Sequence, residues 1–234
     1  MEFIIELPAF SRKTIDKLAE KLKDRSFDVF VPENPAGRPA LLAAVTGTYL
    51  RTKYELGVYV SLRLLDVNLL HAYSAVVTAR EFGIKGVTIL KGDKPVFGEN
   101  LKADSEETLT FLKSKIEGVN LGLVVSLRYP VEEISRRLMK RPDYIMVIHY
   151  GSKTADKLEQ VAQIARRIGV KVYPFVLIGY EKSREVFTQL NQPFIEPLEL
   201  KEKCAWLSSR VDGIVFSSPL DLQRAIDDVY KLCS

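Results

Sequence analysis

The fold is decided by residues 57–95, which read GVYVSLRLLDVNLLHAYSAVVTAREFGIKGVTILKGDKP. Two short runs of mostly apolar residues, 58–62 and 86–90, lie on either side of an amphipathic helical segment. This order predicts two parallel strands that are joined by a crossover helix. The stretch therefore indicates a parallel α/β fold.

The same alternation continues in both directions from this unit. Similar apolar runs lie at residues 3–7, 27–31, 121–126, 144–149, 170–177 and 213–216. Most of them are nearly continuously apolar, which is typical of strands buried on both faces. Eight strand–helix units in 234 residues predict an α/β fold of the (βα)8 TIM barrel type, a single domain over residues 1–234. A doubly wound open sheet is the alternative. However, the first strand is not followed by the GxGxxG motif that is expected in a Rossmann domain.

Helix boundaries are also visible in the sequence. We predict helix starts at Ser11, Ser105 and Ser218, because serine is favoured as an N-cap. Gly169 should stop the helix that follows the sixth strand. Two prolines are expected to divide residues 181–211 into two helical pieces.

Composition excludes several classes of protein. The formal net charge is +4, with no long basic run, so nucleic-acid binding is not indicated. Cys204 and Cys233 lack metal-ligand spacing, so we expect buried or idle thiols and no metal site. The sequence has neither a signal peptide at its start nor a run of about 18 apolar residues, which predicts a cytoplasmic protein that does not contact the membrane.

Candidate functional residues follow from the barrel geometry. In such barrels the catalytic groups come from the carboxyl ends of the strands and the loops after them. Here these positions are rich in ionisable residues, among them Glu6, Glu33, Asp66, Asp93 and His149. We therefore expect the functional site at this end of the barrel.

Each candidate also has a structural explanation. Asp66 and Asn68 precede a helix, so one of them could be its cap. The Gly-Asp step at Asp93 could be a turn, or an anion site because lysines flank it. Glu6 could be a solvated residue at a strand end. His149 is either an acid–base residue or a hydrogen-bonded structural histidine.

Residues 57–95 resemble the third and fourth barrel units of the methylenetetrahydrofolate reductase family. A divergent archaeal-type member is one form that this resemblance could take. That family has an Asp-x-Asn step after strand 3, a helix ending in Gly-Ile and a strand ending in Gly-Asp-x-Pro. The matching residues here are Asp66, Asn68, Gly83, Ile84, Gly92, Asp93 and Pro95.

The resemblance extends on both sides of this stretch. In longer members of the family, an acidic residue, Asn or Ser, and Pro are followed by Arg-Pro. The matching residues here are Glu33, Asn34, Pro35, Arg38 and Pro39. Glu6 falls near the catalytic glutamate that ends strand 1 in the family, and Tyr129 with Pro130 is similar to a flavin-contacting pair.

The resemblance implies a flavin-dependent oxidoreductase of one-carbon metabolism and methionine biosynthesis. Bound FAD would take a hydride from NADH, NADPH or another reduced donor and reduce a methylene-tetrahydropterin to the methyl form. It gives Glu6 and Asp93 catalytic roles. The implied cofactor-binding residues are Asp66, Asn68, Lys91, Gly92, Lys94 and Tyr129, and the implied substrate-binding residues are Glu33, Asn34, Arg38 and His149.

Departures from the family's pattern keep two alternatives open. The family's histidine at strand 3 falls near Ser61, and its arginine before Gly-Asp is Lys91 here. A non-catalytic or partner-dependent relative that binds a reduced pterin is therefore one alternative. A barrel enzyme acting on a phosphorylated small molecule, through the lysines near strand 4, is the other. A homo-oligomer or an electron-donating partner protein is also expected.

Overall fold

Eight parallel strands close into a barrel in the computed structural model, which describes residues 1–8, 11–99 and 101–233. The strands are β1 (Glu2–Glu6), β2 (Asp28–Val31), β3 (Val58–Arg63), β4 (Gly86–Leu90), β5 (Asn120–Ser126), β6 (Tyr144–Ile148), β7 (Lys171–Leu177) and β8 (Gly213–Ser217). They pair in chain order around the barrel. The predicted (βα)8 fold class is confirmed, and the open-sheet alternative is wrong.

Helices alternate with these strands along the described residues. They are α1 (Arg12–Lys23), α2 (Ala43–Tyr54), α3 (Leu69–Glu81), α4 (Ser105–Lys113), α5 (Val131–Leu138), α6 (Ala155–Arg167), α7 (Glu181–Gln189), α8 (Leu200–Ser208) and α9 (Leu222–Leu232). Short 3-10 turns occupy Pro35–Gly37, Ser152–Thr154 and Pro197–Glu199. Within the described part of the chain, no helix is long and apolar enough to cross a membrane.

The predicted helix starts were only partly right. Ser11 does cap α1, where its Oγ accepts a hydrogen bond from the Thr14 amide at 3.3 Å. Ser105 is the first residue of α4, and Asp104 is its cap, because a carboxylate oxygen can accept from two amides of the first turn at once. Ser218 is not a cap either, since its buried hydroxyl donates to the Ile178 carbonyl oxygen.

Two compact units make up the chain. The first contains Met1–Glu6, Val125–Arg141 and Ile145–Ser234, and the second contains Leu7–Val124 and Pro142–Tyr144. In the first unit, β8 pairs in parallel with both β1 and β7. Ile5 lies opposite Phe216, so the next residues, Glu6 and Ser217, end two adjacent strands side by side.

Strands β2 to β4 and the start of β5 pair in parallel in the second unit. Every residue of β3 is buried, including Arg63 at its end, which is 2% exposed. Arg63 lies opposite Leu90, the last residue of β4. The loop after β4 therefore begins next to a buried cation.

A disulfide corrects the expectation of idle thiols. Cys204 of α8 and Cys233, directly after α9, are bonded to each other, with their Cα atoms 5.6 Å apart. The sequence separation of 29 residues carried no sign of the pairing, because the two helices meet only in the folded chain. By the chain-entropy argument, closing a loop of this length adds about 3–4 kcal/mol to the free energy of unfolding. The disulfide therefore stabilises the packing of the last helix.

Candidate functional site

Arg63 organises the polar loops of the second unit. Its Nε lies 2.7 Å from Asp66 Oδ2, and its guanidinium donates to the backbone carbonyl of Asp93. Gly92 packs on the arginine stem so closely that a Cβ there would lie 2.7 Å from Arg63 Cγ. The backbone φ of Gly92 is +93°, which also favours glycine. Asp66 and the Gly-Asp step are therefore brought together by a buried cation.

The loop after β2 joins the same group. Asn34 has a left-handed backbone (φ 40°), and its Nδ2 donates to Asp66 Oδ2 at 3.0 Å. Gly37 packs against the Lys94 backbone, where a Cβ would meet the carbonyl oxygen at 2.2 Å. Arg38, the next residue, is exposed. The structure thus gives Asn34 a loop-building contact and leaves the Arg38 side chain in solvent.

Glu33 is half-buried and supports the start of α2. Its Oε2 accepts from the Ala43 amide at 2.7 Å, and its own amide donates to Ser61 Oγ at 2.6 Å. Burial raises the pKa of the Glu33 carboxyl, while the Ala43 hydrogen bond opposes that shift and the negative Asp66 adds to it. Glu33 is therefore a helix-capping carboxylate with a raised pKa.

The remaining predicted residues of the second unit are Asn68, Lys91, Asp93 and Lys94. Asn68 caps α3, with its Oδ1 accepting from the His71 amide at 2.9 Å. Lys91, Asp93 and Lys94 are exposed, and their side chains make no hydrogen bond or ion pair within residues 1–8, 11–99 and 101–233. A groove of about 420 Å³ lies beside Asn68, but its lining does not include these three residues.

Glu6 ends β1 in the first unit. Its carboxylate accepts a hydrogen bond from Ser217 Oγ at the end of β8, the neighbouring strand. Glu6 is half-buried and Ser217 is buried. Burial raises the pKa of the Glu6 carboxyl, and the Ser217 hydrogen bond partly opposes this. A carboxyl group with a raised pKa can exchange its proton closer to neutral pH.

His149 follows β6 in the same unit. Its Nδ1 lies 2.7 Å from Ser126 Oγ, at the end of β5. The side chain is half-buried, and this burial lowers the pKa of the imidazole, which the positive Arg128 lowers further. Both effects favour the neutral imidazole over the charged one.

The loop after β5 is fixed by a lysine. Lys157 Nζ donates to the carbonyl oxygens of Leu127 and Tyr129, at 2.9 and 3.1 Å. The Tyr129 side chain is 52% exposed. Tyr129 was expected to bind a cofactor. Here its backbone carbonyl binds Lys157, and its side chain is exposed.

The carboxylate of Asp221 joins the loops after β7 and β8. The amide and hydroxyl of Ser183, in the first turn of α7, both donate to Asp221 Oδ2, at 3.0 and 2.9 Å. Barrel enzymes often bind a ligand's phosphate at this position. Here the Ser183 donors are used by the protein's own carboxylate, so they are not available to a phosphate group.

The same arrangement, a titratable residue hydrogen-bonded to a serine, thus occurs twice in the first unit. Glu6 and His149 each end or follow a strand, and each is hydrogen-bonded to a serine from the neighbouring strand. Sequence patterns singled out both titratable residues but neither serine as its partner. A serine at the end of each apolar run was the only available signal, and the strand register was needed to interpret it.

Comparisons with known proteins give the fold a counterpart. No family model matches the chain, and no curated protein matches it. A variant of the tryptophan synthase alpha-subunit from the hyperthermophile Pyrococcus furiosus is similar at 15% identity, over 99% of this chain and 96% of that one, with a TM-score of 0.64. A second variant is 15% identical over 98% of both chains, with a TM-score of 0.63.

A third solved structure concerns an assembly. It describes mutual activation of the tryptophan synthase a2b2 complex from the same organism, and its similar chain is 14% identical, with a TM-score of 0.61. This chain is covered over 99% of its length and that chain over 95%. At such identities the likeness shows the barrel fold alone. Self-association, a partner protein, a cytoplasmic location and a single domain stay predictions.

The expected membership in the methylenetetrahydrofolate reductase family is wrong. The solved structures described above are of tryptophan synthase alpha-subunits or of their complex, and no family model or curated protein supports the reductase. The expectations that follow from this membership are wrong as well: the flavin-dependent reduction, FAD, the reduced nicotinamide donor, the pterin substrate and the place in methionine biosynthesis. The motif residues have local reasons to be present: Asp66 pairs with Arg63, Asn68 caps a helix, and Gly92 allows a close approach.

Proposed function

We propose that this chain is a barrel enzyme that moves protons on a small molecule, with Glu6 as the proton-transferring group and His149 as the second participant. One observation carries the proposal. Both titratable side chains lie at the carboxyl ends of strands in the first unit, each hydrogen-bonded to a serine of the adjacent strand. Active sites of such barrels are built at this end of the strands.

The pKa shifts support these roles. Proton transfer is most efficient when the pKa of the catalytic group lies near the working pH. Burial moves the pKa of Glu6 upward, toward neutrality, and it moves the pKa of His149 downward, which favours the neutral imidazole. Both shifts favour the neutral form of the group concerned.

The reaction class that follows is an isomerisation, an elimination or a lyase reaction, in which a proton leaves one atom and is returned to another. This modifies the alternative of a barrel enzyme acting on a phosphorylated small molecule, because it requires neither the phosphate nor the lysines near strand 4. The similarity to tryptophan synthase alpha-subunits favours a barrel enzyme of this kind over a reductase. If the substrate is phosphorylated, its phosphate would not use the Ser183 donors, because Asp221 occupies them.

The test is a proton-exchange screen of the purified full chain in D2O. The panel contains aldehydes, ketones, 2-oxo acids and hydroxy acids, and pairs dihydroxyacetone with its phosphate. We expect proton NMR to show exchange of a carbon-bound hydrogen, or an elimination product, with at least one compound class. Heat-inactivated protein is the control. If no compound reacts faster than in that control, the proposal is wrong, and the dihydroxyacetone pair decides whether a phosphate is needed.

A further inference from the structure

We infer that His149 acts as a neutral hydrogen-bond donor through its Nε2–H group, and that the substrate presents a carbonyl oxygen to it. This inference rests on the proposed function and names the substrate class for the same strand ends. It follows from the hydrogen bonds around Ser126, from the charge near the imidazole and from the way the His149 backbone is held.

Ser126 decides which imidazole nitrogen carries the proton. Its Oγ already accepts a hydrogen bond from the Arg128 amide at 3.1 Å. Among the described residues, the acceptor that remains for the serine proton is His149 Nδ1, at 2.7 Å. We assign Nδ1 as the acceptor in this pair, because the serine proton would otherwise lack an acceptor among the described residues. In a neutral imidazole the ring proton then lies on Nε2.

Nε2 is left available for a ligand. Within the part of the chain that the structure describes, this nitrogen has no hydrogen-bond partner, and the His149 side chain is half-exposed. An N–H group in a partly desolvated position costs free energy unless it is satisfied by water or by a ligand. The positive Arg128 disfavours protonation of the ring, so the imidazole offers one N–H and no full charge.

The backbone of His149 is fixed in an uncommon conformation. Its φ is 65°, in the left-handed region that L-residues seldom adopt. The Thr154 hydroxyl donates to the His149 carbonyl oxygen at 3.0 Å and accepts from the Gly151 amide at 2.9 Å. A strained backbone that neighbouring contacts maintain is often found at functional sites, because it sets the direction of a side chain.

A neutral N–H donor suits an oxygen that gains negative charge. In the step we propose, the Glu6 carboxylate takes a proton from the carbon next to a carbonyl group. The C–H electron pair becomes a C=C bond, and the carbonyl π pair moves onto oxygen, where the Nε2–H group stabilises it by hydrogen bonding. The Glu6 carboxyl then returns the proton to carbon, so the enzyme is unchanged.

Two variants with opposite chemistry separate a donor from a base. His149→Gln keeps an N–H donor and cannot act as a base, whereas His149→Glu keeps a base and, when ionised, has no donor. In the D2O exchange assay with the reactive carbonyl compound, we expect His149→Gln to retain at least tenfold more rate than His149→Glu. The reverse order, or equal rates, would overturn the inference.

Nitrogen NMR provides a readout that does not depend on activity. With 15N-labelled histidine and the His71→Gln variant, only one imidazole remains to be observed. We expect the Nε2–H tautomer in the full chain and a mixture of both tautomers in Ser126→Ala. In Ser126→Thr, which keeps the hydroxyl, we expect the Nε2–H tautomer again. The Nδ1–H tautomer in the unsubstituted chain would refute the inference but leave Glu6 untouched. Unchanged exchange in Glu6→Gln would instead refute the proposed function.

Discussion

Glu6→Gln should lower the proton-exchange rate by about 10²–10⁴-fold, the usual contribution of a positioned acid–base group. Glutamine has nearly the same shape and can still accept the hydrogen bond from Ser217, so the substitution removes proton transfer and little else. The rate is measured by NMR on the compound that reacts in the exchange screen.

The matched control for this variant is Glu2→Gln. Glu2 lies at the opposite end of the same strand, where it accepts from Tyr173 and pairs with Lys171. We expect this variant to exchange within a few-fold of the unsubstituted chain. Equal rates for Glu6→Gln and Glu2→Gln would show that Glu6 does not transfer the proton.

The Glu6→Gln variant should remain folded, so a lower exchange rate can be assigned to the loss of proton transfer. Because burial raises the pKa of its carboxyl, the stability that the protonated group contributes is complete below the ordinary glutamate pKa of about 4.3 and is lost as the pH rises through the folded-state value. Glutamine does not ionise. At neutral pH, Glu6→Gln should therefore resist unfolding at least as well as the unsubstituted chain.

Asp66→Ala should reduce the free energy of unfolding by about 3–5 kcal/mol, because it leaves the charge of Arg63 buried without its ion-pair partner. Arg63 is 2% exposed, and its Nε lies 2.7 Å from Asp66 Oδ2. The substitution also removes the acceptor for the Asn34 amide. Urea denaturation with a fluorescence readout measures the change.

Two further variants isolate the buried charge. Glu81→Ala breaks an ion pair with Arg80 in which both side chains are exposed, and it should cost no more than about 1 kcal/mol. The double variant Arg63→Met with Asp66→Ala removes both charges and should recover part of the loss. If Asp66→Ala and Glu81→Ala were equally stable, Arg63 would not depend on Asp66.

The barrel could be predicted from the sequence because its strands are short, continuously apolar runs. Each predicted strand boundary lies within one residue of the observed one, and the run 86–90 coincides with β4. Burial on both faces leaves a pattern that local reading can recover. The start of α4 was displaced by one residue, because Asp104 and Ser105 are both good caps and only the folded backbone decides between them.

The contacts of the site could not be predicted in the same way. Glu6 and His149 were visible as strand ends, but Ser217 and Ser126 became their partners only through the register of neighbouring strands. Arg63 was hidden for a similar reason, since its two anchoring contacts come from different loops. The disulfide also depends on two helices that are distant in sequence.

The family resemblance failed because local rules can produce the same short motifs. An Asp-x-Asn step before a helix supplies a cap and an ion-pair partner, as Asn68 and Asp66 do here. A glycine after a strand permits a positive φ and a close contact, as Gly92 does against Arg63. Neither feature requires a flavin.

The pKa of the Glu6 carboxyl is the measurement that tests proton transfer by this group most directly. Carbon-13 NMR of the full chain with labelled glutamate gives the titration, and the Glu6→Gln variant identifies the signal. We predict a value above the ordinary glutamate pKa of about 4.3, and a still higher one in Ser217→Ala, because the serine hydrogen bond favours the charged form. A Glu6 carboxyl that titrates at or below the ordinary value, unaffected by Ser217→Ala, would contradict the account.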